Sequence, residues 1–243
     1  MPAFHFHPIS FAKKKAPSLP LISENNAPFQ YTEAYKSLRT SLKFISEKEQ
    51  AHSFVVASAI PDENASSTAL NLAISLANDG KRVIIVDCDL RRPSLQNILS
   101  ADANAAGLVH VLTGKKQLEN VIYKCDNLNL SVLPAGETPA TPSELLDQPQ
   151  MKDAIQTLKS QFDYVILTAP PVSILTDATI VGQCVDGALL VVRSKFAPRE
   201  DVQLAKHKLE SVHIPIFGVI LTQFNTRKTN KTSGYAHMHR YQY

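Results

Sequence analysis

The chain has few cysteines, no long apolar run, no acid at either end and, where an α/β protein would use it most, no glycine. Its three cysteines among 243 residues, Cys88, Cys125 and Cys184, are odd in number and widely spaced. They exclude a disulfide framework and a paired-thiolate metal site, read as small core residues, and fit a reducing cytoplasm. No stretch approaches the roughly 18 apolar residues of a membrane span, so the chain is expected to be soluble by itself. Residues 1–23 carry Lys13, Lys14 and Lys15 without a carboxylate, and after Glu210 come only Arg227, Lys228, Lys231 and Arg240. With a net charge of +3 overall, these seven cations leave the middle of the chain at −4. Basic ends on an acidic body suit contact with an anionic membrane surface or an acidic partner, and equally suit plain solvated tails. A nucleic-acid partner is not expected. The pairs His5/His7 and His237/His239 have no Cys or acidic neighbour, and read as solvated side chains rather than metal ligands.

An apolar content of 44% can supply a large core. Residues 1–30 hold Pro2, Pro8, Pro17, Pro20 and Pro28 without an apolar period, which predicts a flexible, basic, extended arm. The folded domain is expected over 31–224, followed by a basic, tyrosine-containing tail over 225–243. From Thr32, TEAYKSLRTSLKFI sets Tyr35, Leu38, Leu42 and Ile45 on one helical face, with Thr32 as the N-cap. Beyond it, the continuous apolar runs 53–59, 82–87, 128–134, 163–168, 187–193 and 216–221 predict strands buried on both faces. Helical patterns separate most of them: SSTALNLAISLAND, QPQMKDAIQTLKSQF, TDATIVGQC and REDVQLAKHKLESV. The fold class is therefore α/β, a single mostly parallel sheet flanked by helices on both faces, with ligands expected beyond the carboxyl ends of the strands.

Three segments, Ile60–Ser67, Asp87–Pro93 and Thr168–Val172, each follow a predicted strand and should line one crevice. The first, within IPDENASSTALNLA, sits where a phosphate-binding loop would lie, yet it has neither glycine nor lysine. Together with EAYKSLRTSLKF, VIIVDCDLRRP, LPAGETPATPSELL, FDYVILTAPPV followed by TDA, and VDGALLVVR, the chain resembles the bacterial tyrosine kinases. That family consists of cytoplasmic P-loop proteins that control capsule and exopolysaccharide synthesis and phosphorylate their own tyrosine-rich tails. The resemblance runs from about Tyr31 to the end and implies a P-loop NTPase-like domain. It implies that Asp87 and Asp89 help organise Mg²⁺ and the attacking hydroxyl, with Ser66 as a further Mg²⁺ ligand; ordinary pairing of the two aspartates with Arg91 and Arg92 is the alternative.

The departures from the family are specific. Its Pro-Gly-Glu-Gly-Lys-Ser/Thr loop reads here Pro61, Asp62, Glu63, Asn64, Ala65, Ser66, followed by Ser67. Both glycines and the lysine are gone, and with them the backbone cradle and the point charge for the β and γ phosphates. Asp and Asn are, however, the residues that best tolerate the left-handed backbone angles a glycine would adopt. At the end of the fourth run, where the family places an aspartate that serves the metal through water, this chain has Thr168, and Asp163 lies at the wrong end of that strand to replace it. Arg91, Arg92 or a neighbouring subunit's arginine are the candidate stand-ins for the lysine. Removing one preorganised charge stabiliser costs about 10²- to 10³-fold in rate, so the expected state is a degraded site with no cofactor, ATP and Mg²⁺ being required only if the chain is still a kinase.

Elsewhere, the family's subunit-contact pattern on the first helix reads Glu33, Lys36, Arg39, and the phosphoacceptors implied by the resemblance are Tyr235, Tyr241 and Tyr243. Three functions follow: a non-catalytic or very weak regulatory or scaffold subunit in polysaccharide assembly, an unconventional tyrosine autokinase, or a tail-phosphorylated substrate of an active paralogue. The implied partners are a membrane polysaccharide co-polymerase or activator, a second copy, or an active kinase paralogue. The implied location is the cytoplasm, at the inner face of the membrane through that partner.

Overall fold

Apolar runs with no polar alternation suit a sheet covered on both faces, and the chain builds one whose central strands are covered in this way. The computed structural model describes residues 21–23, 27–95, 105–125 and 128–224, and the backbone of 7–9. In chain order these form β1 (His7–Ile9), α1 (Phe29–Glu49), β2 (Ser53–Ser58), α2 (Ala65–Asn78), β3 (Val83–Asp87) and α3 (Leu108–Leu112). A 3₁₀ turn (Leu118–Val121) leads to β4 (Tyr123–Cys125), β5 (Leu130–Leu133), α4 (Pro142–Leu146), α5 (Pro149–Gln161) and β6 (Tyr164–Thr168). The remainder is α6 (Asp177–Gly182), β7 (Gly187–Arg193), α7 (Arg199–Ser211) and β8 (Ile216–Thr222).

The strands make one sheet in the order β1-β4-β5-β3-β6-β2-β7-β8, parallel throughout except between β4 and β5. Strands β2, β3, β5 and β6 are buried along their whole length. One apolar cluster joins Phe54, Val56, Ile85 and Ile166 to the inner face of α2, while the other joins Val55, Ile84, Val86 and Leu167 to α3–α7. Each fully buried Leu or Ile of these clusters contributes about 1.5–3 kcal/mol by leaving water.

Helix α2 is buried from Ser67 to Ala77 because α1 lies across its outer side. The polar groups on that outer side are stitched to what covers them: Asn71 accepts from the Ile22 amide and donates to the Tyr31 hydroxyl, and Ser75 donates to the Tyr35 carbonyl. Buried polar atoms are tolerated only with such partners.

Three local expectations are corrected. The run 216–221 forms the edge strand β8 and is not buried on both faces, with Val219 60% and Leu221 49% exposed. Helix α1 starts at Phe29 rather than after Thr32, because the Pro28 carbonyl accepts the amides of Tyr31 and Thr32. The Thr32 hydroxyl folds back onto the same carbonyl instead of capping. Residues 1–30 are also not wholly an unpaired arm: His7–Ile9 pair in parallel with Tyr123–Cys125, and Leu21 is buried against the α2 side of the sheet. A strand of three residues around a proline has no periodicity to announce it.

Across the centre of the sheet, Asp87 on β3 is level with Thr168 on β6, and Thr168 with Val56 on β2. The loops leaving those three strands therefore start side by side at the carboxyl edge. The neighbouring LPAG segment is fixed by Gly107, where an added Cβ would lie 2.1 Å from the Pro134 carbonyl oxygen and 2.5 Å from the Gly136 nitrogen. Gly107→Ala should therefore destabilise the fold by about 1–3 kcal/mol through overpacking against backbone that cannot yield. Urea unfolding measures it, and an unchanged midpoint would show that this contact relaxes freely.

Candidate active site

The loop after β2 makes two left-handed turns at non-glycine residues. Asp62 and Asn64 take φ of 63° and 64°, the left-handed region that glycine enters freely and that Asp and Asn enter at least cost. Helix α2 then begins at Ala65 with no side-chain cap on Asn64. Glu63 is fully buried, and its carboxylate accepts the Ile60 amide at 2.8 Å and the Arg193 amide at 2.7 Å. Its carbonyl accepts the Thr222 hydroxyl at 3.2 Å. Glu63 thus fastens the loop to the ends of β7 and β8.

Asp87 has no solvent exposure. One carboxylate oxygen accepts the Thr168 hydroxyl at 2.9 Å and the Asp89 amide at 3.2 Å; the other accepts the amides of Ser94 and Leu95 at 3.1 and 3.0 Å. Four donors fill the four acceptor positions of a carboxylate. Burial pushes the Asp87 pKa up to about 6, with those hydrogen bonds limiting the rise. Burial also raises Asp89, whose carboxylate accepts the backbone amides of Arg91 and Arg92. Asp89 therefore meets the arginines' main chain, Asp87 meets the amides of Asp89, Ser94 and Leu95, and neither takes a hydrogen bond from a guanidinium group.

The Arg91 side chain points elsewhere. Its Nε donates to Asp177 Oδ2 at 2.8 Å, and its Nη2 donates to Ser143 Oγ at 2.7 Å and to Asp177 Oδ1 at 3.3 Å. Ser143 closes the triangle by donating to Asp177 Oδ1 at 2.8 Å. Asp177 is 1% exposed, so this guanidinium compensates a buried charge and joins the segments DLRRP, TPSELL and TDA. Removing one partner of such a pair leaves an uncompensated buried charge, which commits Arg91 to structure. Arg92 is exposed.

The cation that does touch the loop is Arg193, at the end of β7: its Nη1 donates to the Asp62 carbonyl at 3.3 Å, and its guanidinium lies 4.3 Å over the Phe196 ring. Sequence reasoning passed over it, although VDGALLVVR ends at the same edge of the sheet as the loop. Ser66 and Ser67 occupy the first turn of α2. On α1, Lys36 pairs with Glu33 at 2.7 Å, while Arg39 turns inward to the Ser75 carbonyl at 2.9 Å and towards Asp79 at 3.6 Å. Tyr235, Tyr241 and Tyr243 lie outside the described residues.

With this geometry in hand, a family model described as an AAA domain matches residues 64–211. The tyrosine-protein kinase YwqD of Bacillus subtilis (strain 168) is 34% identical over 206 residues, 85% of this chain and 85% of that protein. The chain belongs to the bacterial tyrosine-protein kinase family. The tyrosine-protein kinase etk of Escherichia coli (strain K12) is 30% identical over 209 residues, which are 86% of this chain but 29% of that protein. Among solved structures, the kinase domain of Escherichia coli tyrosine kinase ETK is similar at TM-score 0.82 and 28% identity, covering 95% of this chain and 93% of that one. The chimerical protein CapA2B2 is similar at TM-score 0.77 and 27% identity, covering 90% and 93%. The family's fold is thus present as one P-loop NTPase-like α/β domain, with no helix among the described residues long and apolar enough to cross a membrane.

The Asp87–Thr168 bond has a measurable signature. Folding raises the Asp87 pKa from an ordinary 3.8 to about 6, so the folded state holds a proton where the unfolded chain has lost it. This group's contribution to stability is full below pH 4 and declines as pH rises towards 6. Thr168→Val removes the donor to the ionised carboxylate, and should cost about 1–3 kcal/mol at pH 7 while steepening that decline. Urea unfolding at pH 4 to 7 checks both; a variant with the wild-type profile would show that the hydroxyl does not support Asp87.

Proposed function

We propose that this chain is a degenerate member of the family, non-catalytic or very weak as a kinase, acting by binding as a regulatory or scaffold subunit in capsule or exopolysaccharide biosynthesis. The observation that carries the reading is the donor set of Asp87. A carboxylate that organises Mg²⁺ needs free lone pairs facing the ion, whereas this one is filled by a threonine hydroxyl and three amides. The neighbouring groups point the same way: Ala65 brings neither charge nor donor, Asp62 places an acid on the loop, and Arg91 is engaged with Asp177 and Ser143. The residues present therefore do not fit an Mg²⁺-nucleotide.

A second reading has one observation in its favour. The loop keeps its left-handed turns, and Arg193 stands against it, an arrangement that an unconventional ATP- and Mg²⁺-dependent autokinase would use in place of the lysine. In the first reading the chain meets a membrane polysaccharide co-polymerase, a second copy or an active paralogue at the inner face of the membrane, and phosphate reaches Tyr235, Tyr241 or Tyr243 only from that paralogue.

Restoration separates the two. Asp62→Gly, Asn64→Gly, Ala65→Lys and Thr168→Asp combined should yield a protein that saturating Mg²⁺-ATP stabilises by about 5–10 °C. In EDTA the same variant should be less stable than wild type, because two carboxylates then face one another without an ion. Autophosphorylation by the wild-type chain alone, with none gained on restoration, would favour the unconventional kinase.

A further inference from the structure

The proposed role leaves unused a cavity of about 410 Å³ at the opposite, amino edge of the sheet. It is bordered by residues that precede or open β2, β3, β6 and β7, and its size falls within the range of small-molecule sites. Its apolar surface is Phe162 and Tyr164, 9% and 5% exposed, with the His52 ring edge-on to Tyr164 at 6.0 Å between centroids. Two acids border it, and each is engaged by a cation of the chain, Asp186 with four donors and Asp163 with three. Asp186 accepts the amides of His52 and Ser53, the Ser53 hydroxyl and the Lys159 ammonium. Asp163 accepts the Arg82 amide and two N–H groups of its guanidinium.

The donors, by contrast, are left over. Among the described residues, the Lys81 ammonium has no hydrogen bond or ion pair, and the Tyr164 hydroxyl, which is not shut off from solvent, has no hydrogen-bond partner within the chain. Lys159 uses one N–H on Asp186 and keeps two. With both acids engaged by cations of the chain, the unpaired Lys81 ammonium and the two remaining N–H groups of Lys159 favour an anion with several oxygens. The aromatic wall adds a flat apolar surface beside them.

We propose that this cavity is a second binding site of the chain, separate from the nucleotide crevice, and that it takes a phosphate monoester carried on a ring. The phosphate sits between Lys81 and Lys159, and the ring rests on Phe162 and Tyr164, whose hydroxyl donates to the bound molecule. Because none of these residues belongs to the carboxyl-edge crevice, the site works equally in a chain with or without kinase activity.

The test is a titration of the full chain, followed by amide and side-chain NMR, with phenyl phosphate, glucose 1-phosphate and inorganic phosphate. At least one ring-bearing probe should give saturable shifts at His52, Lys81 and Tyr164, at least about tenfold tighter than inorganic phosphate. The tighter of the two rings tells an aromatic ligand from a sugar. Lys81 is on a partly exposed turn, so Lys81→Ala and Lys81→Gln should fold with unchanged spectra elsewhere and weaken that probe by about tenfold. Shifts confined to Ile60–Ser67, no saturable shift from either ring-bearing probe, equal binding of inorganic phosphate, or wild-type affinity in both Lys81 variants would each overturn the proposal.

Discussion

A carboxylate sealed from solvent must find its counter-donors inside the protein, and the neighbourhood of Asp87 is arranged around that requirement. Buried without partners, it would cost several kcal/mol and would simply hold a proton. The chain meets the demand with a side-chain hydroxyl from the next strand and amides from the loop that follows β3. This fixes the start of the DLRRP segment, which in turn places Arg91 where it reaches Asp177 and Ser143. The closure of the site, the position of TPSELL and the anchoring of α6 thus follow from one buried acid satisfied by protein groups.

The loop after β2 separates shape from chemistry. Its turns are set by Asp62 and Asn64, and its attachment by Glu63, whose carboxylate ties it to Arg193 on β7. None of these interactions needs a phosphate. A loop whose geometry is held by internal hydrogen bonds keeps its path without a bound phosphate, which is why exchanging a few of its side chains is a meaningful experiment.

Much of this was legible in the sequence. The apolar runs of β2, β3, β5, β6 and β7 could only be doubly covered strands, and the left-handed turns were legible because few residues besides Asp and Asn take them without glycine. The convergence of three strand-end loops followed from βαβ succession. What stayed hidden was long-range or short: the Arg91 and Asp177 pair spans 86 residues, Glu63 and Arg193 span 130, and neither has a local pattern. The strands β1 and β4 have three residues each, too few for a period. The inward turn of Arg39 depends on α1 crossing α2, which a helical wheel does not contain.

The central claim is that Asp87 and the loop are complete without an ion or a nucleotide. Calorimetric titration of the wild-type chain with ATP and Mg²⁺ tests it most directly. The account predicts no binding tighter than about millimolar, equivalent to roughly 4 kcal/mol; saturable micromolar binding would contradict it.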